Sequence, residues 1–196
     1  DYGGKNPDGK PQGGFYTQED IKEIVEYARL RHVTVIPEIE IPGHSTAALA
    51  AYPQLSCDTT KTYEVSTCWG VKDDVYCPSE FTFKFLEDVF TEMLPLFPSR
   101  YWHIGGDECP QKAWKESSVC HDLMKEKGMK SYDEIQSYFV NRVSTFLRNH
   151  GKTVIGWDEI LDVSWKNKIC KYRPQHGANE TSFNLTTTVG VHMNVI

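Results

Sequence analysis

The sequence lacks the long apolar run that a membrane-spanning helix requires. No uninterrupted hydrophobic stretch in its 196 residues approaches the roughly 18 residues of such a helix. It also lacks an excess of positive charge, because 21 Lys and Arg residues stand against 27 Asp and Glu residues. The resulting net charge of −6 argues against broad nucleic-acid binding, which needs a dominant basic face. The hydrophobic content of 39% argues against wholesale disorder and predicts a globular domain.

Several signatures of well-known sites are also missing. There is no Gly-x-Gly-x-x-Gly dinucleotide loop, no Gly-x-Ser-x-Gly nucleophile elbow and no His-Glu-x-x-His zinc helix. None of the six cysteines forms a Cys-x-x-Cys pair, which argues against a zinc ribbon or a thioredoxin-type site. The first residues include neither an initiator Met nor an apolar signal region, so we expect the chain to begin inside a longer protein.

The cysteines that are present bear on the compartment. Cys57, Cys68 and Cys77 crowd one segment, which is typical of proteins from an oxidising compartment. We therefore expect an exported protein, located in the periplasm, the extracellular space or the lysosome. The sequence does not choose among the possible disulfide pairings of six cysteines, and free buried thiols remain an alternative.

Three segments carry the start signals of helices. Thr17 with Asp20 is close to a capping box, and Ser131 with Glu134 has the full capping-box spacing. Ser79, which lies between them along the chain, can cap a third helix. The apolar face predicted for this helix consists of Phe81, Phe85, Leu86, Val89, Phe90 and Met93.

A short apolar segment that can form a strand follows each predicted helix. The segments are residues 33–36, 101–104 and 153–157. The first of them is β-branched and lacks polar alternation, which is typical of a strand covered on both faces. Helix–strand alternation with short returns predicts a parallel α/β sheet with right-handed crossovers. Both a barrel and a doubly wound sheet fit this pattern.

Ionisable residues follow all three predicted strands directly. They lie within residues 37–44, 105–108 and 158–159. Parallel α/β proteins, and barrels above all, place their chemistry at the carboxyl ends of their strands. We therefore expect the functional site at this edge of the sheet.

The adjacent acids Asp107 and Glu108 are the sharpest signal for chemistry. Two glycines before them allow a tight turn directly after a buried strand. Neighbouring side chains at a strand end point in different directions, so the two acids can have different roles. One can stay ionised through hydrogen bonds, while the other, in an apolar setting, keeps its proton and acts as a general acid. The alternative is a surface Asp-Glu pair that favours the start of the next helix through the helix dipole.

Three further residues each have a functional and an ordinary interpretation. His44 fits a site but also fits a satisfied polar residue in a Pro-Gly turn. Trp157 can form an apolar wall against a sugar ring or be an ordinary core residue. Cys109 is a possible nucleophile, but the neighbouring carboxylate of Glu108 is expected to raise its pKa and so favour the inert thiol.

Four segments resemble the family 20 glycoside hydrolases, the β-N-acetylhexosaminidases. His103-Ile104-Gly105-Gly106-Asp107-Glu108 is similar to the His-x-Gly-Gly-Asp-Glu signature of that family. The other segments are residues 16–21, 35–44 and 156–160, and they occur in the order and spacing of the family. The resemblance covers about residues 13–161.

This resemblance implies a TIM-type (β/α)8 barrel, present only as a fragment. Residues 17–161 would run from the second helix to the fifth strand, within a partial catalytic barrel over residues 1–161. Residues 162–196 would form a divergent tail, in which only a weak strand over residues 189–196 is expected. The resemblance does not extend to the other barrel strands.

The resemblance also implies hydrolysis of terminal non-reducing N-acetylglucosamine or N-acetylgalactosamine from β-linked glycosides. Glu108 would act as general acid/base, while Asp107 would orient the 2-acetamido group whose oxygen attacks the anomeric carbon to form an oxazoline. His44 and Trp157 match positions in the sugar pocket, and His103 matches a supporting position. No metal or organic cofactor and no nucleic-acid partner is implied, and the oligomeric state stays open.

Two alternatives from other classes remain at this point. One is an inactive carbohydrate-binding fragment of such an enzyme. The other is a metal-dependent hydrolase of acetylated sugars with His44, His103, Asp107 and Glu108 as ligands, although no metal-ligand spacing supports it.

Overall fold

In the computed structural model, three helix–strand units and one further strand build a parallel sheet. The structure describes residues 14–66, 68–161 and 188–192. The helices are α1 (Gln18–Arg29), α2 (Thr46–Ala51), α3 (Glu80–Met93), α4 (Lys112–Lys115), α5 (Ser118–Lys127) and α6 (Asp133–Asn149). The strands are β1 (Thr34–Glu38), β2 (Tyr101–His103), β3 (Thr153–Ile155) and β4 (Thr188–His192). Short 3-10 helices span Pro53–Leu55, Leu94–Leu96 and Asp158–Leu161.

The strand order is β3-β2-β1-β4, and every pairing is parallel. The helices α3 and α6 provide the crossovers between β1 and β2 and between β2 and β3. The predicted α/β class with a parallel sheet is therefore confirmed. None of the described helices is long and apolar enough to cross a membrane.

The strand β4 lies on the other side of β1 from β2. It pairs with β1 over five residues, from Thr34 with Thr188 to Glu38 with His192. The strand expected over residues 189–196 is thus found as far as His192. The rest of the predicted tail, residues 162–187 and 193–196, lies outside the described residues.

Two of the three predicted helix starts are confirmed. The hydroxyl of Thr17 accepts a hydrogen bond from the N–H of Asp20 (3.1 Å), and Asp20 Oδ2 accepts one from the N–H of Thr17 (2.8 Å). This reciprocal pair forms a full capping box at the start of α1. Ser79 caps α3 by accepting a hydrogen bond from the N–H of Thr82 (3.2 Å).

The capping box predicted from Ser131 and Glu134 is wrong. The helix α6 begins at Asp133, and its N-cap Tyr132 makes no side-chain capping bond. Ser131 therefore lies before the N-cap, outside the position from which a hydroxyl accepts from the first free N–H groups. It contributes its backbone carbonyl instead, which accepts from the N–H of Glu134 (3.2 Å).

The first turn of α3 buries a different aromatic ring from the one predicted. Phe83 is buried with Leu86 and Phe90, whereas Phe81 is 54% exposed. Phe83 packs against Phe139 of α6 with a centroid distance of 4.8 Å. Both Phe81 and Phe83 are apolar, so the direction from which α6 approaches decides which of them enters the core. Burying a ring of this size contributes roughly 1.5–3 kcal/mol to folding.

A smaller core lies beside the main one and holds the segment that follows Glu108. Its centre is Trp114 of α4, which is fully buried and packs with Cys120 and Ile135. The indole N–H of Trp114 donates to the carbonyl of Tyr76 (2.9 Å), so the ring has no unsatisfied polar atom. This contact fixes α4 and α5 against the loop that precedes α3.

Candidate active site

The carboxyl ends of β1 and β2 bring His44, Asp107 and Glu108 together. His44 Nε2 lies 3.5 Å from Glu108 Oε2 and 4.0 Å from Asp107 Oδ2. The side chain of Glu108 is 53% exposed and that of Asp107 is 25% exposed. We call Asp107 and Glu108 the outer pair. The apolar setting expected around the general acid is not formed by the described residues, because half of the Glu108 side chain faces solvent.

The two loops that carry these side chains are packed directly on each other. A Cβ atom on Gly43 would lie 3.2 Å from the carbonyl oxygen of Asp107, so a larger residue would press the loops apart. His44 and Glu108 both have positive φ, at 49° and 45°. Such angles are uncommon outside glycine and cost free energy, and they persist where surrounding contacts dictate the conformation.

Gly105 and Gly106 of the signature cannot carry a side chain, because both have positive φ and because neighbouring side chains occupy the space that a Cβ atom would need. Gly105 has φ of +64°, and a Cβ atom there would lie 1.9 Å from the carboxyl group of Glu40. Gly106 has φ of +98°, and its Cβ atom would lie 2.2 Å from Cγ2 of Ile160. The loop before Asp107 therefore runs close over Glu40 on one side and Ile160 on the other.

A second pair of carboxylates, Glu38 and Glu40, lies beneath the loop, and we call it the inner pair. Glu38 is 5% exposed, and Glu40 Oε1 accepts a hydrogen bond from the N–H of Gly106 (2.7 Å). Burial raises the pKa of Glu40 to about 9, and the charge of Asp107 and the contact with Glu38 act in the same direction. Glu40 therefore holds a proton at neutral pH and can share it with Glu38.

Sequence reasoning noted the inner pair as ionisable but assigned it no role. A signal was available, because residues two apart in an extended segment point to the same side. The spacing of Glu38 and Glu40 at a strand end was thus enough to place both carboxylates together. The position of Glu40 beneath Gly105 was not readable from the spacing.

His103 and Trp157 form a second group at the same edge. Their rings meet edge to face with a centroid distance of 5.1 Å. His103 Nδ1 accepts a hydrogen bond from the N–H of Gly105 (3.0 Å) and lies 3.1 Å from Glu38 Oε1, which places the ring beside the inner pair. Trp157 is 47% exposed, so it is not an ordinary core residue. All five predicted site residues thus lie at one edge, in two groups joined by the glycine loop.

Cys109 is held as an inert thiol for a reason other than the one expected. Its pKa is raised chiefly by burial, and Glu40 raises it further once that carboxyl group is ionised. Sequence reasoning attributed the shift to its chain neighbour Glu108.

Gln136 of α6 contacts the site without any sequence signal that predicted it. Its side-chain amide N–H donates to the carbonyl of Gly106 (2.8 Å) and so stabilises the glycine loop.

A cavity of about 250 Å³ lies on the α6 side of the outer pair. Glu108 lines it together with Gln111, Gln136 and Glu159. The motif residue Glu159 thus faces the same space as Glu108, from the 3-10 helix after β3.

Comparison with known proteins agrees with this geometry. The sequence model described as "Glycosyl hydrolase family 20, catalytic domain" matches residues 2–181. A beta-hexosaminidase of Porphyromonas gingivalis is 52% identical over 156 residues, which are 79% of this chain and 20% of that protein.

Solved structures give the same result. The chitobiase of Flavobacterium johnsoniae matches with a TM-score of 0.72 and 38% identity, over 76% of this chain and 23% of that one. An exo beta-N-acetylglucosaminidase from Vibrio harveyi, in complex with N-acetylglucosamine, matches with a TM-score of 0.70 and 37% identity, over 78% of this chain and 24% of that one. This chain thus spans about a fifth to a quarter of the length of these three relatives. In sequence and in structure, the chain belongs to glycosyl hydrolase family 20 and forms part of its catalytic domain.

Proposed function

We propose that the chain carries the acid–base centre of a β-N-acetylhexosaminidase. The substrate is a β-linked glycoside with N-acetylglucosamine or N-acetylgalactosamine at its non-reducing end. Family membership supports this proposal, as does the contact of His44 with both members of the outer pair at the strand ends. The chain then represents helix two to strand five of a (β/α)8 barrel, which is supported by the parallel succession of β1, β2 and β3.

Glu108 is the general acid and then the general base. Its carboxyl group is exposed enough to reach the glycosidic oxygen of a bound sugar, and His44 Nε2 lies 3.5 Å from its Oε2 atom. It donates a proton to the departing oxygen in the first step. In the second step it removes a proton from the attacking water, as the same group must by microscopic reversibility.

Asp107 orients the 2-acetamido group of the substrate. The observation that carries this role is the shortage of donors around its carboxylate. Among the described residues no donor reaches the buried Oδ1 atom, and the imidazole Nε2 of His44 lies 4.0 Å from Oδ2. A carboxylate with free acceptor capacity at a site edge suits the N–H of an acetamide, whose positive charge grows as its oxygen attacks the anomeric carbon.

The adjacency of the outer pair favours substrate-assisted chemistry over an enzyme ester. A retaining enzyme with a covalent ester needs two carboxyl groups about 5 Å apart on opposite faces of the sugar. Asp107 and Glu108 follow each other on one loop and both face His44, so they approach from the same wall. The acetamide oxygen of the substrate then serves as nucleophile, and Trp157 provides an apolar wall beside it.

The test compares two aryl glycosides that differ only at carbon 2, acetamido in one and hydroxyl in the other. We expect the acetamido compound to be hydrolysed with overall retention and the hydroxyl compound to show almost no turnover at saturation. Inverted product, or a sugar ester trapped on the protein by a 2-fluoro glycoside, would exclude the oxazoline route. Binding of N-acetylglucosamine without turnover of either compound would instead favour the inactive carbohydrate-binding alternative.

A second candidate function rests on a specific contact. One ligand atom each from His44, Asp107 and Glu108 lies within 4.8 Å of the others, a donor set that also suits a divalent cation. A metal-dependent hydrolase would lose activity with a chelator and regain it with a divalent ion. We expect a chelator to leave hydrolysis of the acetamido glycoside unchanged for as long as circular dichroism shows that the fold is intact.

A further inference from the structure

Three cysteines from distant parts of the chain converge in the smaller core. Cys57 follows the first 3-10 helix, Cys77 precedes α3 and Cys120 lies in the first turn of α5. Their Sγ atoms all lie within 4.8 Å of one another, and those of Cys57 and Cys120 are 3.7 Å apart. Cys77 and Cys120 are buried and Cys57 is half-buried. We call these three residues the cysteine cluster.

The sulfur separation fits coordination of one metal ion. Two thiolates bound to a tetrahedral zinc ion at about 2.3 Å each lie about 3.8 Å apart. A disulfide bond brings its two sulfur atoms to about 2.05 Å and leaves the third sulfur without a partner. A single metal ion, by contrast, can bind all three sulfur atoms at once, because they lie close enough to share one central ligand position.

The surroundings of the cluster supply a fourth oxygen and a favourable field. Ser117 is buried at 5% exposure, its hydroxyl accepts from the backbone N–H of Cys120 (3.4 Å), and it acts to lower the pKa of the thiols of Cys57 and Cys120. Ser117 is also the N-cap of α5, so the positive end of that helix points at the sulfur atoms. A helix N-terminus stabilises thiolates, which are the form of cysteine that binds metals.

We propose that the cysteine cluster is a structural site for one zinc ion. Three thiolates bind the ion, and the Ser117 hydroxyl or a water molecule completes the tetrahedron. Binding releases the three thiol protons to solvent, and no oxidation takes place. The absence of a Cys-x-x-Cys pair hid the site at the level of sequence, because the ligands come from three separate segments.

The cysteine cluster lies close to the turn that carries His44, and backbone hydrogen bonds connect the two. The N–H of Cys77 donates to the carbonyl of Leu55 (2.8 Å), and the N–H of its neighbour Tyr76 donates to the carbonyl of Pro42 (3.0 Å). Pro42 is two residues before His44. A bound ion therefore fastens α5 to the turn that presents His44, and it contacts no residue of the outer pair.

The experiment measures zinc bound to the purified protein that contains this chain. The protein is saturated with zinc, freed of excess by gel filtration, and analysed by elemental mass spectrometry. We expect one zinc per chain in the wild type and in Cys68→Ser, a cysteine outside the cluster, and at least a tenfold lower content in Cys77→Ser and Cys120→Ser. Equal zinc in Cys68→Ser and Cys77→Ser would overturn the proposal.

Two further measurements keep the test decisive if the cluster variants do not fold. Cadmium added to the wild-type protein should produce the ultraviolet charge-transfer band of cadmium–thiolate bonds, which saturates at one equivalent. Denaturation without reductant but with a chelator should then leave every cluster thiol reactive towards a chromogenic thiol reagent. The lack of a cadmium band would overturn the zinc site. Two thiols that react only after a reductant is added would show that a disulfide stands in its place. None of these measurements depends on glycosidase activity.

Discussion

The outer and inner pairs are four carboxylates at one end of the sheet, yet they differ in exposure and in partners. Asp107 and Glu108 are 25% and 53% exposed and face the His44 imidazole. Glu38 is buried, and Glu40 binds the backbone N–H of Gly106. Exposure thus decides which carboxylates can touch a substrate and which can only position the loop.

The difference in burial also explains how four carboxyl groups can lie close together without strong mutual repulsion. Four ionised carboxylates so close together would repel one another strongly. Burial keeps a proton on Glu40, which removes one charge and turns Glu40 into a hydrogen-bond donor for its neighbour Glu38. The inner pair therefore supports the outer pair without adding full charge beside it.

The largest effect is expected from Glu108→Gln in the outer pair. Loss of the proton donor should lower kcat/KM by about 10²–10⁴-fold on a disaccharide, and much less on an aryl glycoside with a very acidic phenol. Steady-state kinetics on both substrates measure the difference. Glu64→Gln, at an exposed glutamate outside this cavity, is the matched control and should retain full activity. Equal losses on both substrates would argue against Glu108 as the acid.

Asp107→Asn should have the next largest effect. An amide cannot offset the positive charge that grows on the acetamide nitrogen, so we expect kcat to fall by about 10²–10³-fold. A thiazoline that mimics the intermediate should lose more affinity for this variant than the substrate does. Inhibition constants provide the measurement, with the exposed Asp158→Asn as control. An unchanged preference for the thiazoline would contradict the role of Asp107.

Gly105→Ala tests the contact between the loop and the inner pair. The new Cβ atom would lie 1.9 Å from the Glu40 carboxyl group at φ of +64°. Gly128→Ala is a close control, because Gly128 has φ of +67° with nothing within 4 Å. We expect the control to lose about 1 kcal/mol of unfolding free energy and Gly105→Ala to lose roughly 1–3 kcal/mol more. Urea denaturation measures both, and equal losses would show that Glu40 moves aside freely.

Glu40→Gln should have the smallest effect, which appears as a change in pH dependence. The raised pKa of Glu40, about 9 against an ordinary 4.5, means that the folded state holds a proton that the unfolded state has lost between these values. The stability contributed by Glu40 is therefore complete below about pH 4.5 and falls as the pH rises towards 9. Glu40→Gln should flatten this fall in a series of melting temperatures. A slope as steep as that of the wild type would locate the proton elsewhere.

The sequence by itself determined the features that depend on neighbouring residues. Hydrophobic spacing and cap residues such as Thr17 and Ser79 act within a few positions, so the helix–strand alternation was readable. The strand-end rule then placed His44 and the outer pair at one edge, because parallel strands end together. The local signal at Ser131 was misleading. Its spacing to Glu134 predicted a capping box, but the N-cap of α6 is Tyr132, one residue later.

Only the tertiary structure decided which distant residues meet. Glu40 lies beneath Gly105, and Cys120 lies beside Cys57, across 65 and 63 positions of sequence respectively. The choice of Phe83 over Phe81 for the core depends in the same way on the approach of α6. Such contacts depend on how the chain closes over long distances, and the free energy that selects them comes mainly from the apolar surface buried in the whole core, which no short sequence pattern contains.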